Sequence, residues 1–186
     1  MARLAIVYYS ATGNTHRLAE TIREGAGKHG EAELCRIVGA DMDGGRFRNE
    51  SLLQRLDAAD GIVFGSPTFM GGPAAQFKAF ADATSERWTT QLWADKVAAG
   101  FTTGSCLNGD QSATLSYFSI LASQHGMIWC GLDIPSGYDP AGRNRLGTQL
   151  GLATETAGDA FVESDLVTAA HLGARVARLA ARLSSG

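Results

Sequence analysis

The sequence predicts an α/β fold in which a doubly wound parallel sheet of five strands, in the order 2-1-3-4-5, lies between two layers of helices. Short apolar runs alternate with amphipathic stretches along the chain, as in consecutive β-α units. Glycine supplies 23 of the 186 residues, about 12 % against a usual frequency of about 7 %, and several glycines directly follow the apolar runs. A chain of this length favours one domain over residues 1–186.

The first two strands and their helices are predicted in the N-terminal third of the chain. Residues 3–9 are nearly all apolar, as expected of a strand that is covered on both faces. Apolar residues then recur at four-residue spacing: Leu18, Ile22 and Ala26. This period predicts a first helix, which Gly27 and Gly30 can end. Residues 33–38 are the predicted second strand, and a short helix is predicted around residues 52–56.

Two further β-α units follow. Residues 61–66 are the predicted third strand, and Pro73 lies where the next helix can begin, because its missing N–H costs nothing in a first turn. The expected buried face of that helix comprises Ala74, Phe77, Phe80 and Ala81. Residues 96–102 are the predicted fourth strand, and Asp110 can cap the helix after it. The expected buried residues of this helix are Leu115, Phe118 and Ala122.

The last unit contains an irregular stretch. Residues 127–130 are the predicted fifth strand, and a last helix is predicted over residues 164–183 with Ser164 as its cap. The expected apolar stripe of that helix comprises Leu172, Val176, Leu179 and Leu183. Residues 132–163 show no clear period and exceed the usual connection of roughly 2 to 6 residues. We therefore expect this segment to be functional or to form an interface.

The composition excludes several classes of protein. Lys and Arg number 16 and Asp and Glu 19, so the net charge of −3 gives no basic excess for binding nucleic acid. No apolar run reaches the roughly 18 residues that a membrane span requires, and the first run is too short for a signal peptide. Cys35, Cys106 and Cys130 are widely separated, which argues against a disulfide framework or a structural zinc site. We expect a soluble, cytoplasmic protein without a metal.

Ligands of such a sheet bind beyond the carboxyl ends of the strands, where the strand order reverses. The loop after the first strand comprises Ser10, Ala11, Thr12, Gly13, Asn14 and Thr15. It meets a helix N-terminus, where free N–H groups and the helix dipole attract an anion. It lacks the lysine of a P-loop and the spaced glycines of a dinucleotide site, and so favours a single terminal phosphate. The alternative is a helix cap and turn without a ligand.

The loops after the third and fourth strands indicate a planar ligand. The former comprises Pro67, Thr68, Phe69, Met70 and Gly71. Apolar side chains are unusual in a solvated turn and favour a flat ring against Phe69 or Met70, although both could instead fold back onto the core. The latter loop can offer N–H donors to a ring edge. It comprises Thr103, Gly104, Ser105, Cys106, Leu107 and Asn108. The three loops together predict a mononucleotide with a large ring.

Three aromatic residues outside these loops are open to two or more interpretations. His125 precedes Gly126 at a predicted helix end, where a cation is favoured; alternatively it bonds to a bound ring or supplies a proton. Trp88 and Trp93 flank a polar stretch and could pack in the core, anchor an interface or cover a ring. No neighbouring base marks Cys106 as a nucleophile.

These residues resemble the flavodoxin-like superfamily and, within it, the WrbA-type NAD(P)H:quinone oxidoreductases. The motifs are YYSATGNTHRLA, GSPTFMGGPAAQFKAFAD, KVAAGFTTGSCLNG, HGM at 125–127 and the tail NRLGTQLGLATETAGDAFVESDL. The resemblance implies an FMN whose phosphate lies at residues 10–15 and whose ring and ribityl lie at residues 67–71 and 103–108. It also implies that His125 approaches the ring as a catalytic residue. Trp88 would reach the substrate site of a neighbouring subunit in a dimer or tetramer.

The chain departs from that family at the loops that face the substrates. Thr12 stands where the family has a tyrosine associated with the nicotinamide cofactor, and Phe69-Met70 replaces an Arg-Phe pair. The resemblance predicts an FMN-dependent oxidoreductase that passes two electrons from NADH or NADPH to a quinone or a similar planar acceptor. The alternative is a flavodoxin-type carrier of single electrons that does not itself oxidise NAD(P)H.

Overall fold

The computed structural model describes residues 1–156, 158 and 160–184. The strands are β1 Ala2–Tyr9, β2 Gly30–Ile37, β3 Met42–Asp43, β4 Arg46–Phe47, β5 Gly61–Phe69, β6 Gly72–Pro73, β7 Val97–Gly104, β8 Ile128–Trp129 and β9 Leu152–Glu155. The helices are α1 Asn14–Ala26, α2 Glu50–Asp57, α3 Ala75–Ala83, α4 Ser85–Thr89, α5 Gln111–Gln124 and α6 Glu163–Leu183. No helix in the described ranges is both long and apolar enough to cross a lipid bilayer.

The main sheet confirms the predicted fold class and strand order. Its strands are arranged β2-β1-β5-β7-β8, and all these neighbours pair in parallel, which is the order 2-1-3-4-5 in terms of the predicted strands. β6 adds a short antiparallel hairpin strand to the end of β5. β3 and β4 form a separate two-stranded sheet after β2.

Two strands share the fifth position of the sheet. β8 pairs with the beginning of β7, where Ile128 lies beside Val97, and β9 pairs with its end, where Leu152 lies beside Phe101. The predicted fifth strand therefore has the right place but only half of the length, because residues 130–151 leave the sheet between its two parts. Part of the segment expected to be irregular is thus a sheet strand. Positions 157 and 159 of that segment lie outside the described residues.

Helices cover both faces of the sheet. One core contains the buried faces of α2, α3 and α5, including Phe77, Phe80 and Phe118. The other contains the buried faces of α1 and α6. These last two helices pack closely because a Cβ atom on Gly173 of α6 would lie 2.0 Å from a carbonyl oxygen of α1. The predicted buried faces of the helices are confirmed, except that Leu183 is 52 % exposed at the end of α6.

Several predicted helix ends are wrong in detail. Pro73 belongs to β6, and α3 begins at Ala75. Gly27 ends α1 with φ −57°, so no left-handed cap is formed, and Gly30 begins β2. Ser164 lies inside α6, which begins one residue earlier.

The segment between β8 and β9 is held by polar contacts within itself and to α6. Asn144, only 4 % exposed, accepts from the Thr148 N–H at 3.0 Å and donates to the Ile134 carbonyl at 2.9 Å. Arg145 binds the Asp165 carboxylate through two contacts of 2.9 Å. These contacts fix the end of the segment from which β9 enters the sheet.

Candidate functional site

The carboxyl ends of β1, β5 and β7 meet at one edge of the sheet and bring the three predicted loops together. They line a cavity of about 380 Å³. Its lining comprises Ala11, Thr12, Asn14, Thr15, Pro67, Thr68, Phe69, Thr103, Gly104, Ser105, Thr156 and Gly158. A larger cleft of about 740 Å³ lies between the β3–β4 hairpin, α3 and α4 and contains none of the predicted residues.

The loop after β1 leaves N–H groups open at the start of α1. Gly13 is the residue before the helix, adopts φ +106° and makes no side-chain cap. The Ser10 hydroxyl accepts from the N–H groups of Gly13 and His16, each at 3.2 Å. Among the described residues, the N–H groups of Asn14 and Thr15 have no partner. This geometry favours the anion site over a helix cap without a ligand.

A positive charge lies behind this loop. Arg36 Nη2 donates to the Ser10 carbonyl at 3.2 Å. The Tyr8 hydroxyl, whose pKa burial raises to about 12, lies within hydrogen-bond distance of Nδ1 of His16, at 2.6 Å. The described side chains that line the 380 Å³ cavity carry no charge. The loop therefore offers an anion neutral donors, and the solvent-exposed Arg36 is bonded to the loop's own backbone.

Residues 156 and 158 form a fourth wall that the sequence analysis missed. Asn14 Nδ2 donates to Thr156 Oγ1 at 3.2 Å and to the Gly158 carbonyl at 2.8 Å. The wall follows β9, which pairs in register with β7 from Phe101 to Gly104. One feature of the sequence could have indicated this wall. Residues 152–154, Leu-Ala-Thr, resemble residues 100–102 of β7, Gly-Phe-Thr, because in both a threonine follows two residues without polar side chains.

The loop after the third predicted strand is a tight hairpin. β5 continues to Phe69 and pairs with β6 around a two-residue turn of Met70 and Gly71, with φ +47° and +80°. Phe69 is 51 % exposed and Met70 is fully exposed. The alternative that both side chains fold back onto the core is therefore wrong. Phe69 lines the 380 Å³ cavity, and Met70 lines an adjoining cavity of about 220 Å³.

The loop after β7 completes the adjoining cavity. Gln111 Nε2 donates to the Cys106 carbonyl at 2.8 Å. A Cβ atom on Gly104 would lie 2.9 Å from that same nitrogen, so a larger residue there would require the Gln111 side chain to shift. Asn108 donates to the Leu146 carbonyl at 3.0 Å and joins the loop to the segment before β9. Asp110 precedes α5 as predicted, but its side chain makes no capping hydrogen bond.

Hydroxyl groups connect the strands beneath the site. Thr68 Oγ1 lies 2.8 Å from Thr102 Oγ1 and 2.7 Å from Thr114 Oγ1, and Thr15 Oγ1 lies 3.4 Å from Thr103 Oγ1. Two buried side-chain oxygens at this edge have no hydrogen-bond partner among the described residues. They are Gln111 Oε1 and Thr154 Oγ1. Gln111 lines the adjoining cavity, so its unpaired oxygen fits a site whose hydrogen bonding is completed by a polar ligand.

His125 does not lie at this site in its own chain. α5 begins at Gln111 beside the cavity and runs back along the sheet, so His125 lies about 21 Å away at 1.5 Å per residue. It is 1 % exposed and stacks on Trp93 with ring centroids 4.6 Å apart. The predicted approach of His125 to a ring is not made at the three loops of its own chain, because a helix that starts at the ligand edge ends at the opposite edge. Gly126, with φ +68°, is the predicted glycine at the helix end.

The two tryptophans before β7 differ in environment. Trp93 is fully buried, and its Nε1 donates to Asp57 at 2.7 Å, so it belongs to the core. Trp88 is 50 % exposed on α4 and does not line the cavities formed by the three loops. Trp88 therefore lies outside the candidate site of its own chain.

Comparisons with known proteins identify similar sequences and a similar fold. The family model described as NADPH-dependent FMN reductase matches residues 3–133. A Pseudomonas aeruginosa protein named flavodoxin FldP is 39 % identical over 98 % of this chain and 99 % of its own. An Archaeoglobus fulgidus protein named NAD(P)H dehydrogenase (quinone) is 32 % identical over 98 % and 100 %. The crystal structure of a WrbA-like flavodoxin from Agrobacterium tumefaciens superposes with a TM-score of 0.78 at 40 % identity, covering 98 % of this chain and 99 % of that one.

Proposed function

The chain belongs to the NADPH-dependent FMN reductase family, and we propose that it binds FMN and passes two electrons from NADH or NADPH to a quinone or a similar planar acceptor. The convergence of the three loops on one cavity, beside open N–H groups at the start of α1, carries this proposal. Relatives named NAD(P)H dehydrogenase (quinone), which match along nearly their whole length, support the same reaction.

The residues present fit the cofactor. The Ser10 to Thr15 loop would hold the phosphate through neutral donors and the open end of α1. Residues 67–71 and 103–108 would hold the ring and ribityl chain, as one FMN-binding domain over residues 1–186. Bound FMN supplies the hydride and electron transfer itself. The two adjoining cavities share Thr68, Gly104 and Ser105, so a ligand can extend from one into the other.

The chain contributes orientation and shielding. Phe69 offers an apolar face beside the phosphate cavity, where a flat ring can lie against it. The pairing of β5 with β6 fixes this side chain at the end of a regular strand, so it does not depend on a mobile loop. Asn14 connects the phosphate loop to Thr156 and Gly158 and closes the outer side of the cavity.

The phosphate assignment can be tested with a charge at the exposed Thr12. Thr12→Asp adds a carboxylate beside the proposed phosphate, and Thr12→Asn is the neutral control of the same size. At an effective dielectric constant of about 20, like charges some 5 Å apart repel strongly enough to weaken binding by at least about tenfold. We expect Thr12→Asp to raise the Kd of FMN while leaving that of riboflavin, which has no phosphate, unchanged.

The activity is tested on FMN-reconstituted protein. We expect oxidation of NADH or NADPH that accelerates when a benzoquinone is added. Protein that binds no FMN, or equal weakening of FMN and riboflavin by Thr12→Asp, would contradict the site. Protein that binds FMN but does not reduce the quinone would contradict the proposed reaction and leave the FMN site unaffected.

One observation favours a second function. The relative named flavodoxin FldP matches 98 % of this chain at 39 % identity, which supports a carrier of single electrons. A carrier would take up electrons in two resolved stages during reductive titration and show no quinone-dependent oxidation of NAD(P)H. The proposed enzyme would show the converse.

We also propose a homo-oligomer, a dimer or tetramer, in the cytoplasm. Trp88 and Leu92, each 50 % exposed, supply apolar surface close together in the chain, which supports an interface between copies. NADH and NADPH are supplied inside the cell, which supports the location. Light scattering coupled to size-exclusion chromatography measures the subunit number directly, and a monomer at micromolar concentration would contradict the assembly.

A further inference from the structure

We propose that Phe69, Met70 and Leu107 form an apolar rim that selects uncharged acceptors with an aliphatic substituent, and that Met70 and Leu107 determine this specificity. The inference rests on the proposed function, because the rim lies at the mouth of the proposed flavin site. It narrows the proposed acceptor from any planar ring to an uncharged ring that carries an aliphatic substituent.

The rim consists of three large exposed apolar side chains: Phe69 lines the 380 Å³ cavity, Met70 lines the adjoining one, and Leu107 lies in the loop that forms a wall of the latter. Phe69 is 51 %, Met70 105 % and Leu107 61 % exposed. Met70 lines the 220 Å³ cavity together with Cys106 and Asn108, the two neighbours of Leu107 in the chain. Isolated apolar residues are common on protein surfaces, but a group of them at the mouth of a cavity indicates a ligand contact.

The conformation of Met70 does not stabilise the fold. It is the first residue of a two-residue hairpin turn and has φ +47°, where glycine, asparagine or aspartate is favoured. Its side chain is fully exposed, so no packing within this chain offsets the unfavourable backbone. A contact made only when a ligand is bound accounts for an apolar side chain at this place.

The charges at the site favour an uncharged acceptor. Among the described residues that line the two cavities, Asp110 is the one charged side chain. A sulfonated or carboxylated ring would therefore meet a carboxylate and find no cation in the lining. An aliphatic substituent on the ring can instead lie across Met70 and Leu107 and cover surface that is otherwise in water.

The test compares two acceptors on the same enzyme. The acceptors are benzoquinone and its pentyl derivative, which keeps the substituent short enough to remain soluble. The variants are Met70→Gln, Leu107→Gln and the double variant. Ile120→Gln is the matched control, since Ile120 is 60 % exposed but lies on α5, about 13 Å along the helix from Gln111.

We expect wild type to have a lower KM for pentylbenzoquinone than for benzoquinone. Partial burial of two apolar side chains predicts that the double variant raises the ratio of the pentyl KM to the benzoquinone KM by about tenfold, and each single variant by about threefold. Any loss of flavin loading cancels in this ratio. Ile120→Gln is expected to leave the ratio unchanged.

A second readout does not depend on turnover. The Kd of pentyl-1,4-dimethoxybenzene, which cannot accept electrons, is measured by calorimetry on the FMN-loaded protein, with unsubstituted 1,4-dimethoxybenzene for comparison. The double variant should lose the tighter binding of the pentyl compound. If wild type reduces benzoquinone but is indifferent to the pentyl group, or if Ile120→Gln acts like the rim variants, the inference fails and the proposed function stands. If wild type reduces neither quinone, both the proposed function and the inference are refuted.

Discussion

Titration of His125 should make the stability of the fold depend on pH. His125 is 1 % exposed, and Nε2 lies 2.8 Å from Thr84 Oγ1. Because the Thr84 hydroxyl donates to the Ala81 carbonyl at 2.7 Å, it must accept the proton of Nε2. Nδ1 then carries the lone pair and has no partner among the described residues. A proton added there would be buried and unpaired, and burial accordingly lowers the pKa of His125 to about 4.

The sign and size of the effect follow from this shift. The unfolded chain binds the proton with the ordinary pKa of about 6.5, above that of the folded chain. The stability is therefore fully present above pH 6.5 and is lost as the pH falls towards 4. The whole shift corresponds to about 3 kcal/mol, and the part lost between pH 7 and pH 5 to about 2 kcal/mol. For a domain of this size that lowers Tm by about 4 to 8 °C.

The assay is urea unfolding at pH 7, 6 and 5 for wild type and His125→Gln. The glutamine can still donate an N–H to Thr84 but does not titrate. We expect the variant to be less stable at pH 7, and the free-energy difference between the two proteins to shrink by about 2 kcal/mol at pH 5. Parallel loss of stability in both proteins would show that other groups carry the pH dependence and would refute the reasoning.

Two further predictions concern packing and charge. Arg145→Gln leaves the Asp165 carboxylate, 3 % exposed, without its cation, so urea unfolding at pH 7 should show a loss of about 3 to 5 kcal/mol in the free energy of unfolding. The control is Arg55→Gln, which removes an exposed ion pair and should cost less than about 1 kcal/mol. Equal losses in the two variants would contradict this account. Gly173→Ala places a methyl group 2.0 Å from a backbone oxygen of α1 and should lower the free energy of unfolding, measured by thermal unfolding, by about 3 kcal/mol. The control is Gly39→Ala, whose Cβ would meet nothing within 4 Å. Similar stability of the two variants would show that α1 and α6 separate readily.

The sequence predicted the sheet because its central strands, β1, β5 and β7, are buried on both faces. β1, β5 and β7 each begin with an almost wholly apolar run. Helix ends were predicted less well, because they depend on tertiary contacts. Gly30 illustrates this: a Cβ atom there would lie 2.5 Å from the Ala2 carbonyl, so this glycine allows two strands to approach and does not end a helix.

The three loops of the candidate site could be predicted for the same topological reason. Parallel strands place every strand-to-helix loop at one edge, so a local pattern is enough to group them. The same topology excludes His125 from the candidate site of its own chain. His125 lies at the end of α5, and helices in such a fold run from the ligand edge of the sheet to the opposite edge. The resemblance placed His125 at the ring without stating which chain holds that ring.

The fourth wall could not be found from local patterns because it depends on a strand interrupted in the sequence. β8 and β9 occupy one sheet position but are separated by residues 130–151. Four residues of β9 are too few to give a period, and their pairing with β7 depends on Asn144 and Arg145 holding the intervening segment to α6. The segment that lacked a pattern therefore supplies part of the candidate site: without it, Thr156 would not lie beside Asn14, and the loop after β1 would lack this outer wall.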